Sequence, residues 1–260
     1  MPVRFDAVTN APGLAFLKHC YRYVNRDWQH VVHEPLPDQG FEMHFRAASV
    51  LQLPEWQVSQ EWELELGSQL QTASGVRHEI DMVAQHPDVM AVVELKNRAA
   101  WPPGKNDVIV FFAKILDYLA FNPKLLLSEV CPIFLTSGAF EETALAACLG
   151  LGIHPIGPGM RPLPVLADTL RRIGFELANG VQIAADAREL WEDACAELNS
   201  LALQLTETWI SARFGYQSDE QISLRRVGGL ETVDFSRNLR RLNAHCTDAY
   251  AAVNSAKSSK

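Results

Sequence analysis

The sequence lacks the features of several large protein classes. No segment reaches the roughly 18 uninterrupted apolar residues of a membrane-spanning helix, so no membrane span is expected. Residues 1–6 contain no apolar run of the kind that a signal peptide has. The five cysteines are an odd number without close spacing, and no Cys-x-x-Cys pair occurs. We therefore expect a protein of the reducing cytoplasm, without a zinc site.

Motifs of two common enzyme chemistries are also missing. Ser137 and Gly138 follow a candidate strand, but the Gly-x-Ser-x-Gly pattern of a nucleophile elbow is absent. The glycines and prolines between Gly152 and Gly159 match neither a phosphate-binding loop nor a dinucleotide fingerprint. The sequence thus supports neither a serine hydrolase nor a nucleotide-binding enzyme.

Positive charge is scarce. The chain of 260 residues has 23 Lys and Arg against 31 Asp and Glu, which gives a formal net charge of -8. Affinity for nucleic acid comes largely from cations that neutralise phosphates, so the total charge argues against a simple nucleic-acid binder. Arginines nevertheless cluster near the C-terminus, at 171–172, 225–226, 237 and 240–241. We interpret each cluster as a solvated helix face, with a local phosphate contact as the alternative.

Acidic residues lie within two predicted β-strands. Residues 77–84 alternate, which puts Ile80, Met82 and Ala84 on one face and Glu79, Asp81 and Val83 on the other. Residues 89–96 are almost continuously hydrophobic until Glu94, a pattern typical of a strand buried on both faces. Residues 85–88 form a short turn between the two strands. The sequence therefore predicts an antiparallel hairpin in which Asp81 and Glu94 converge.

Two converging carboxylates favour a bound cation. They repel each other unless a cation lies between them, and a hard divalent ion such as magnesium suits oxygen ligands. We expect Asp81, Glu94 and the backbone carbonyl of Leu95 to bind this metal. Lys96 can place its ammonium near an attacking water or near the negative charge that develops on phosphorus oxygens. This set of residues predicts metal-assisted hydrolysis of a phosphodiester.

The order of an acid, a spacer and Glu94-Leu95-Lys96 at a strand end resembles the PD-(D/E)xK nuclease superfamily. That family has the restriction-endonuclease-like fold and includes Mrr-type restriction enzymes and Holliday-junction resolvases. The resemblance implies that Asp81 and Glu94 are its two acids and Lys96 its lysine, although Ile80 replaces the usual proline. It also implies Mg²⁺ or Mn²⁺ as cofactor, a DNA substrate and, in an Mrr-like branch, defence against foreign DNA. Glu42 matches an acid that members often carry on the first helix.

The predicted elements follow the core order of that family, which is helix, three strands, helix, strand, helix and strand. A helix opens at Gly40 and ends before Pro54, and a strand covers residues 56–66 ahead of the hairpin. Later elements are a helix at 107–121, a strand at 130–136, a helix at 141–151 and a short strand at 153–156. Two long helical patterns follow at 187–214 and 235–253, with a short strand at 222–227 between them and a frayed tail at 254–260.

We therefore expect an α/β fold with a restriction-endonuclease-like core, in which helices flank a mixed central sheet. The core is expected at residues 40–158, after an N-terminal helical segment at 1–39 and before a mainly helical extension at 159–260. With 48% hydrophobic residues, the chain can bury one good core plus such an extension. The apolar stripe of the extension packs on its own helices or, alternatively, forms a homo-oligomer or a contact with a partner subunit.

Simpler interpretations of the site residues stay open. Asp81 and Glu94 could be surface charges on a solvated sheet face, which predicts exposed carboxylates far apart. Lys96 could protect a strand end, and Glu42 could be an ordinary charge in the first turn of a helix. Lys114 is interpreted as a charge on a solvated helix face, with a contact to a backbone phosphate as the alternative, and Glu79 as a solvated or salt-bridged charge. The second functional hypothesis is a catalytically silent fold that serves as an interaction or nucleic-acid-binding module.

Overall fold

Helices surround a central β-sheet in the computed structural model, which describes residues 11–27, 38–50, 62–97, 101–122, 130–214 and 230–259. The helices are α1 (Ala11–Arg22), α2 (Asp38–Val50), α3 (Lys105–Phe121), α4 (Glu142–Gly150), α5 (Leu163–Ala178), α6 (Ala185–Phe214) and α7 (Leu230–Ser258). The strands are β1 (Glu63–Leu70), β2 (His78–His86), β3 (Val89–Lys96), β4 (Val130–Thr136) and β5 (His154–Ile156). A π-helical turn, Tyr23–Asp27, follows α1. The expected α/β class and the helical C-terminal part are confirmed.

The described strands form one mixed sheet in the order β1-β2-β3-β4-β5. The first three strands are antiparallel, and β3, β4 and β5 are parallel to one another. Only Pro87 and Asp88 separate β2 from β3, and His86 pairs with Val89 across the turn. The predicted hairpin is therefore confirmed. Parallel neighbours need a crossover, and the segments that contain α3 and α4 supply the two crossovers on the way to β5.

The sheet separates two hydrophobic clusters. On one face, α1 and α2 contribute Phe16, Leu17, Phe41 and Phe45, which pack with Met82, Val93 and Leu135 of the sheet. On the other face, α3 contributes Phe111, Ile115 and Leu119, which pack with Ile80, Val92 and Phe134. Because helices cover β3 on both faces, its first seven residues are buried, as a continuous hydrophobic run predicts.

A third hydrophobic cluster joins α4 to the C-terminal helices α5, α6 and α7. Helix α4 contributes to two clusters, because Cys148 packs on the sheet side and Leu149 on the C-terminal side. An ion pair of 2.5 Å between Lys18 of α1 and Asp168 of α5 adds a polar link. The described part of the apolar stripe thus packs within the chain, whereas the domain boundaries at residues 39 and 158 remain predictions. None of the described helices is long and apolar enough to cross a membrane.

The element boundaries agree with the sequence for the later part of the sheet and less well elsewhere. Strand β4 has the predicted bounds, and α3 and α4 begin within two residues of the predicted positions. The strand expected at 56–66 instead covers Glu63–Leu70, and residues 51–61 lie outside the described part, as does the strand expected at 222–227. The prediction of a frayed tail at 254–260 is wrong for residues 254–258, because α7 continues to Ser258.

We expect Phe134→Ala to destabilise the fold strongly. Phe134 is fully buried in β4, with the ring centroids of Phe111 and Phe140 6.0 and 5.9 Å from its own. Its loss leaves a cavity that should lower the free energy of unfolding by about 3–5 kcal/mol. The control Phe121→Ala removes an exposed ring and should change it by less than about 1 kcal/mol. Equilibrium unfolding in denaturant measures both, and equally small changes would contradict this packing.

Candidate active site

The strand pairing is interrupted at Asp81. Strands β1 and β2 pair on both sides of Gly67 and Asp81 but not at these two residues. Gly67 has a φ of 60°, in the left-handed region that glycine adopts without the strain of a side chain. The pairing of β2 with β3 ends at Met82 and Val93, one residue short of Asp81 and Glu94. Asp81 therefore pairs with neither β1 nor β3 through the backbone.

The alternation of β2 breaks at the same place. Ile80 packs with α3, whereas Met82 and Ala84 pack on the opposite face of the sheet. The prediction that these three side chains share one face is wrong, because the unpaired backbone at Asp81 lets the strand change its phase. The Asp81 carboxylate accepts a hydrogen bond of 2.7 Å from the backbone N–H of Leu95. This carboxylate thus bridges the two strands where their backbone pairing has ended.

Glu94 is a buried carboxylate between two lysines. Its relative exposure is 5%. Lys96 donates a hydrogen bond of 2.7 Å to Oε1, and Nζ of Lys114, on α3, lies 3.5 Å from Oε2. Lys114 also donates to the backbone carbonyl of Glu79 at 3.0 Å, so it links α3 to β2. A buried carboxylate is costly unless neighbouring charges compensate it, and the two ammonium groups supply that compensation.

Lys96 experiences the charges of several carboxylates. Burial by itself lowers the pKa of Lys96, but the charge and hydrogen bond of Glu94, followed by the charges of Asp81 and Asp107, outweigh it. The pKa of Lys96 is consequently raised above its usual value, and this side chain is an ammonium at neutral pH. It is therefore a donor and a positive charge rather than a base.

Glu42 contributes from α2. Partial burial raises the pKa of Glu42, and the charges of Asp81 and Glu94 raise it further, against the opposing charges of Arg46 and Lys96. Arg46 lies one helical turn further on, with its Nη2 3.9 Å from Glu42 Oε2. The charges of the hairpin acids thus raise the pKa of Glu42 although it lies on a different element.

Of the four residues expected at the site, Lys96 bonds to Glu94 and Asp81 bonds to the backbone N–H of Leu95, whereas Glu42 lies on a separate helix and is influenced by their charges. Glu42 lies on α2, Asp81 on β2, and Glu94 and Lys96 on β3. The competing interpretation expects both hairpin acids to be exposed. It is wrong for Glu94, which is buried, and Asp81 is half-buried rather than fully exposed. Their roles in catalysis or metal binding remain predictions.

Lys114 contacts the site residue Glu94, whereas the sequence favoured a solvated position for it. Its expected position on a solvated helix face is wrong, because it contacts both Glu94 and the backbone of β2. The spacing of residues along the helix could have indicated this position for Lys114. Lys114 follows the buried Phe111 by three residues and precedes the half-buried Tyr118 by four, which places it on the stripe of α3 that faces the sheet.

The donor atoms at this end of the sheet fit a hard divalent cation. Asp81 and Glu94 offer carboxylate oxygens and Leu95 a backbone carbonyl, the ligand types that Mg²⁺ prefers. Across the described ranges, no group of three or more His, Cys, Asp and Glu side chains forms a metal-binding cluster. Mg²⁺ commonly takes only one or two carboxylates and keeps several waters, so two acids and a carbonyl are compatible with it.

Comparisons with known proteins give no family for this chain. No family model matches it. No curated protein matches it either. Among solved structures, it is similar to the crystal structure of a protein of unknown function, AF1548, with 19% identity and a TM-score of 0.35 over 82% of this chain and 97% of that one. A similarity at this level identifies neither a fold family nor an activity.

Asp117 fixes the loop that leads into β2. Its carboxylate accepts hydrogen bonds from the backbone N–H and the hydroxyl of Ser74, and His78 Nε2 lies 2.9 Å from Oδ2. The bond from the Ser74 hydroxyl, with those from the Ser74 amide and His78, lowers the pKa of Asp117 to about 2 against a smaller opposing effect of burial. The start of β2, three residues before Asp81, is thereby attached to the helix that carries Lys114.

We expect Asp117→Asn to weaken the acid dependence of stability. A carboxylate with a lowered folded-state pKa contributes stability that is fully present above its unfolded value of about 4 and is lost as the pH falls towards about 2. The free energy of unfolding should therefore fall less steeply over this range in the variant than in the wild type. Denaturant unfolding at several pH values measures the slope.

The exposed Asp248 on α7 provides a matched control for this series. Asp248→Asn should keep the wild-type slope between about pH 4 and pH 2, because it removes a carboxylate outside the loop network. Identical slopes in the wild type and Asp117→Asn would show that the Ser74 and His78 contacts do not stabilise the folded state.

Proposed function

We propose that this protein is a metal-dependent nuclease of the PD-(D/E)xK type that hydrolyses phosphodiester bonds in DNA. The observation that carries the proposal is the position of Asp81, Glu94 and Lys96 where the β2–β3 pairing ends, with the Asp81 carboxylate bonded to Leu95 N–H and Lys96 bonded to Glu94. Glu42 on α2 is a further carboxylate whose pKa responds to the charges of these acids. The order of the described elements from α2 to β5 supports it, since it is the order expected for that family. The DNA substrate and a role in defence rest on the resemblance alone.

Asp81, Glu94 and the Leu95 carbonyl would hold the Mg²⁺ or Mn²⁺ ion. When bound, such an ion lowers the pKa of a water molecule and stabilises negative charge on phosphate oxygens. The hydrogen bond from Leu95 N–H keeps the Asp81 carboxylate at the strand gap, so this ligand is already oriented. Glu42 acts further out and adds negative charge to the site.

Lys96 supplies an ammonium at a fixed position. Its bond to Glu94 holds Nζ at the strand end, where it can donate to the attacking water or to a phosphate oxygen as negative charge develops. In the hydrolysis, the water oxygen forms a bond to phosphorus, the ester oxygen leaves, and protons from water end on the leaving oxygen and in solvent. Lys114 holds the second oxygen of Glu94 and is a positioning residue in this scheme.

One observation favours the second candidate, a silent binding module. Lys96 and Lys114 engage both oxygens of Glu94, so the buried charge is compensated without any cation. A metal would compete with these ammonium groups for Glu94. Cleavage therefore has to be measured directly, because the same contacts could stabilise a fold that no longer catalyses.

We expect cleavage of supercoiled plasmid or linear duplex DNA with Mg²⁺ or Mn²⁺, tested beside single-stranded DNA and RNA. Asp81→Asn and Lys96→Ala should each lower the rate by about 100-fold or more, because the first removes a ligand of the metal and the second removes an ammonium that acts on the developing charge. Lys105→Ala, an exposed lysine on α3, is the matched control and should cleave like the wild type. A chelator should abolish all cleavage.

Two results would contradict the proposed nuclease. Cleavage that persists in Asp81→Asn and in chelator would have to come from another site or from a contaminant. Absence of cleavage of every substrate, together with retained binding of nucleic acid, would favour the silent module.

A further inference from the structure

A cleft of about 400 Å³ lies between α5 and α7, away from the elements that carry Asp81 and Glu94. The side chains that matter are Arg171, Arg172, Phe175 and Glu176 on α5 and Tyr250 and Lys257 on α7. On α5 they fall at steps of three and four residues, and Tyr250 and Lys257 are two helical turns apart on α7, so each helix presents one stripe to the cleft. The cleft is a feature of the C-terminal helices alone.

Two aromatic rings line this cleft without being buried. Phe175 is 68% exposed and Tyr250 is 41% exposed. A single exposed apolar side chain is ordinary on a protein surface. Two aromatic rings from different helices in one cleft form a surface on which a flat ring can stack.

The cleft is positively charged in an acidic protein. Its lining contains three cations and one acid, and Asp168, which pairs with Arg172, reduces the local charge to +1 in a chain whose net charge is -8. Lys257 pairs with Glu176, and Arg172 pairs with Asp168 at 3.2 Å. Arg171 is exposed and makes no ion pair within the described part of the chain. Its guanidinium can therefore bind a phosphate without first breaking a contact.

We propose that this cleft binds single-stranded nucleic acid, with a base stacked on Phe175 and Tyr250 and a phosphate at Arg171. Stacking platforms interleaved with cations are the usual means by which proteins bind single strands. The volume is that of a small-ligand site, so the cleft takes about one nucleotide unit of the strand. The choice of a nucleic acid over an acidic protein segment rests on the proposed nuclease function. The positive charge of the cleft also attracts a polyanion, although the chain as a whole is acidic.

The test is fluorescence anisotropy of a short labelled oligothymidylate with the full chain in chelator, so that cleavage does not interfere. Phe175→Ala should raise the Kd by about 5- to 150-fold through lost stacking. Arg171→Ala should weaken binding and reduce the slope of log K against log salt by about 0.7, as expected for one lost phosphate contact on a single strand. Phe175→Tyr should keep most of the affinity.

Matched controls lie outside the cleft. Arg188→Ala removes an exposed arginine of α6, and Phe121→Ala removes an exposed ring of α3, so both should bind like the wild type. Asp81→Asn should lose cleavage but keep this binding, which separates the two sites. If the wild type cleaves nothing and Phe175→Ala still loses binding, the cleft stands while the proposed nuclease function fails.

Three outcomes would overturn the proposed cleft. The first is oligothymidylate binding that is absent in the wild type or equal in Phe175→Ala and Arg188→Ala. The second is displacement by thymidine monophosphate at the same concentration as the oligomer, which would show a free-nucleotide site. The third is equal displacement by polyglutamate, which would show charge attraction or an acidic protein segment as the occupant.

Discussion

The burial of Glu94 between Lys96 and Lys114 is the interaction on which this end of the sheet depends. An isolated carboxylate at 5% exposure would be costly, and each ammonium group compensates one of its oxygens. Lys114 extends the same interaction to β2 through the carbonyl of Glu79. The charge pairing thus holds α3, β3 and β2 together at the point where backbone pairing between β2 and β3 has ended.

Local patterns predicted the hairpin. A hydrophobic run, a short turn and an alternating strand each depend on neighbouring residues, so the hairpin that carries Asp81 and Glu94 could be predicted from the sequence. The change of phase at Asp81 could not, because it depends on the pairing of β2 with two other strands and on Gly67 in β1. The position of Lys114 depends in the same way on how α3 packs against the sheet. Helix α5 is not among the individually predicted helices, and Pro164 lies in its first turn, where a proline is tolerated.

In the proposed nuclease, the two proposed sites assign reaction and binding to different parts of the chain. The sheet end combines carboxylates and an ammonium in a half-buried position, which suits a reaction on a phosphate more than strong binding of a strand. The cleft between α5 and α7 has aromatic rings and arginines without converging acids, which suits binding without reaction. Helix α4 packs against both the sheet and the C-terminal helices and so fixes their relative positions. An overall charge of -8 is compatible with a polyanionic substrate only if such local surfaces exist.

Calorimetric titration of Mg²⁺ or Mn²⁺ into the protein tests most directly the central claim that Asp81 and Glu94 form a cation site. The account predicts one saturable binding event in the wild type and in Asp117→Asn, a control that removes a carboxylate of the neighbouring loop. It predicts that this event disappears in Asp81→Asn, because one of the two carboxylate ligands is lost. Equal binding in the wild type and Asp81→Asn, or no binding in the wild type, would contradict the claim.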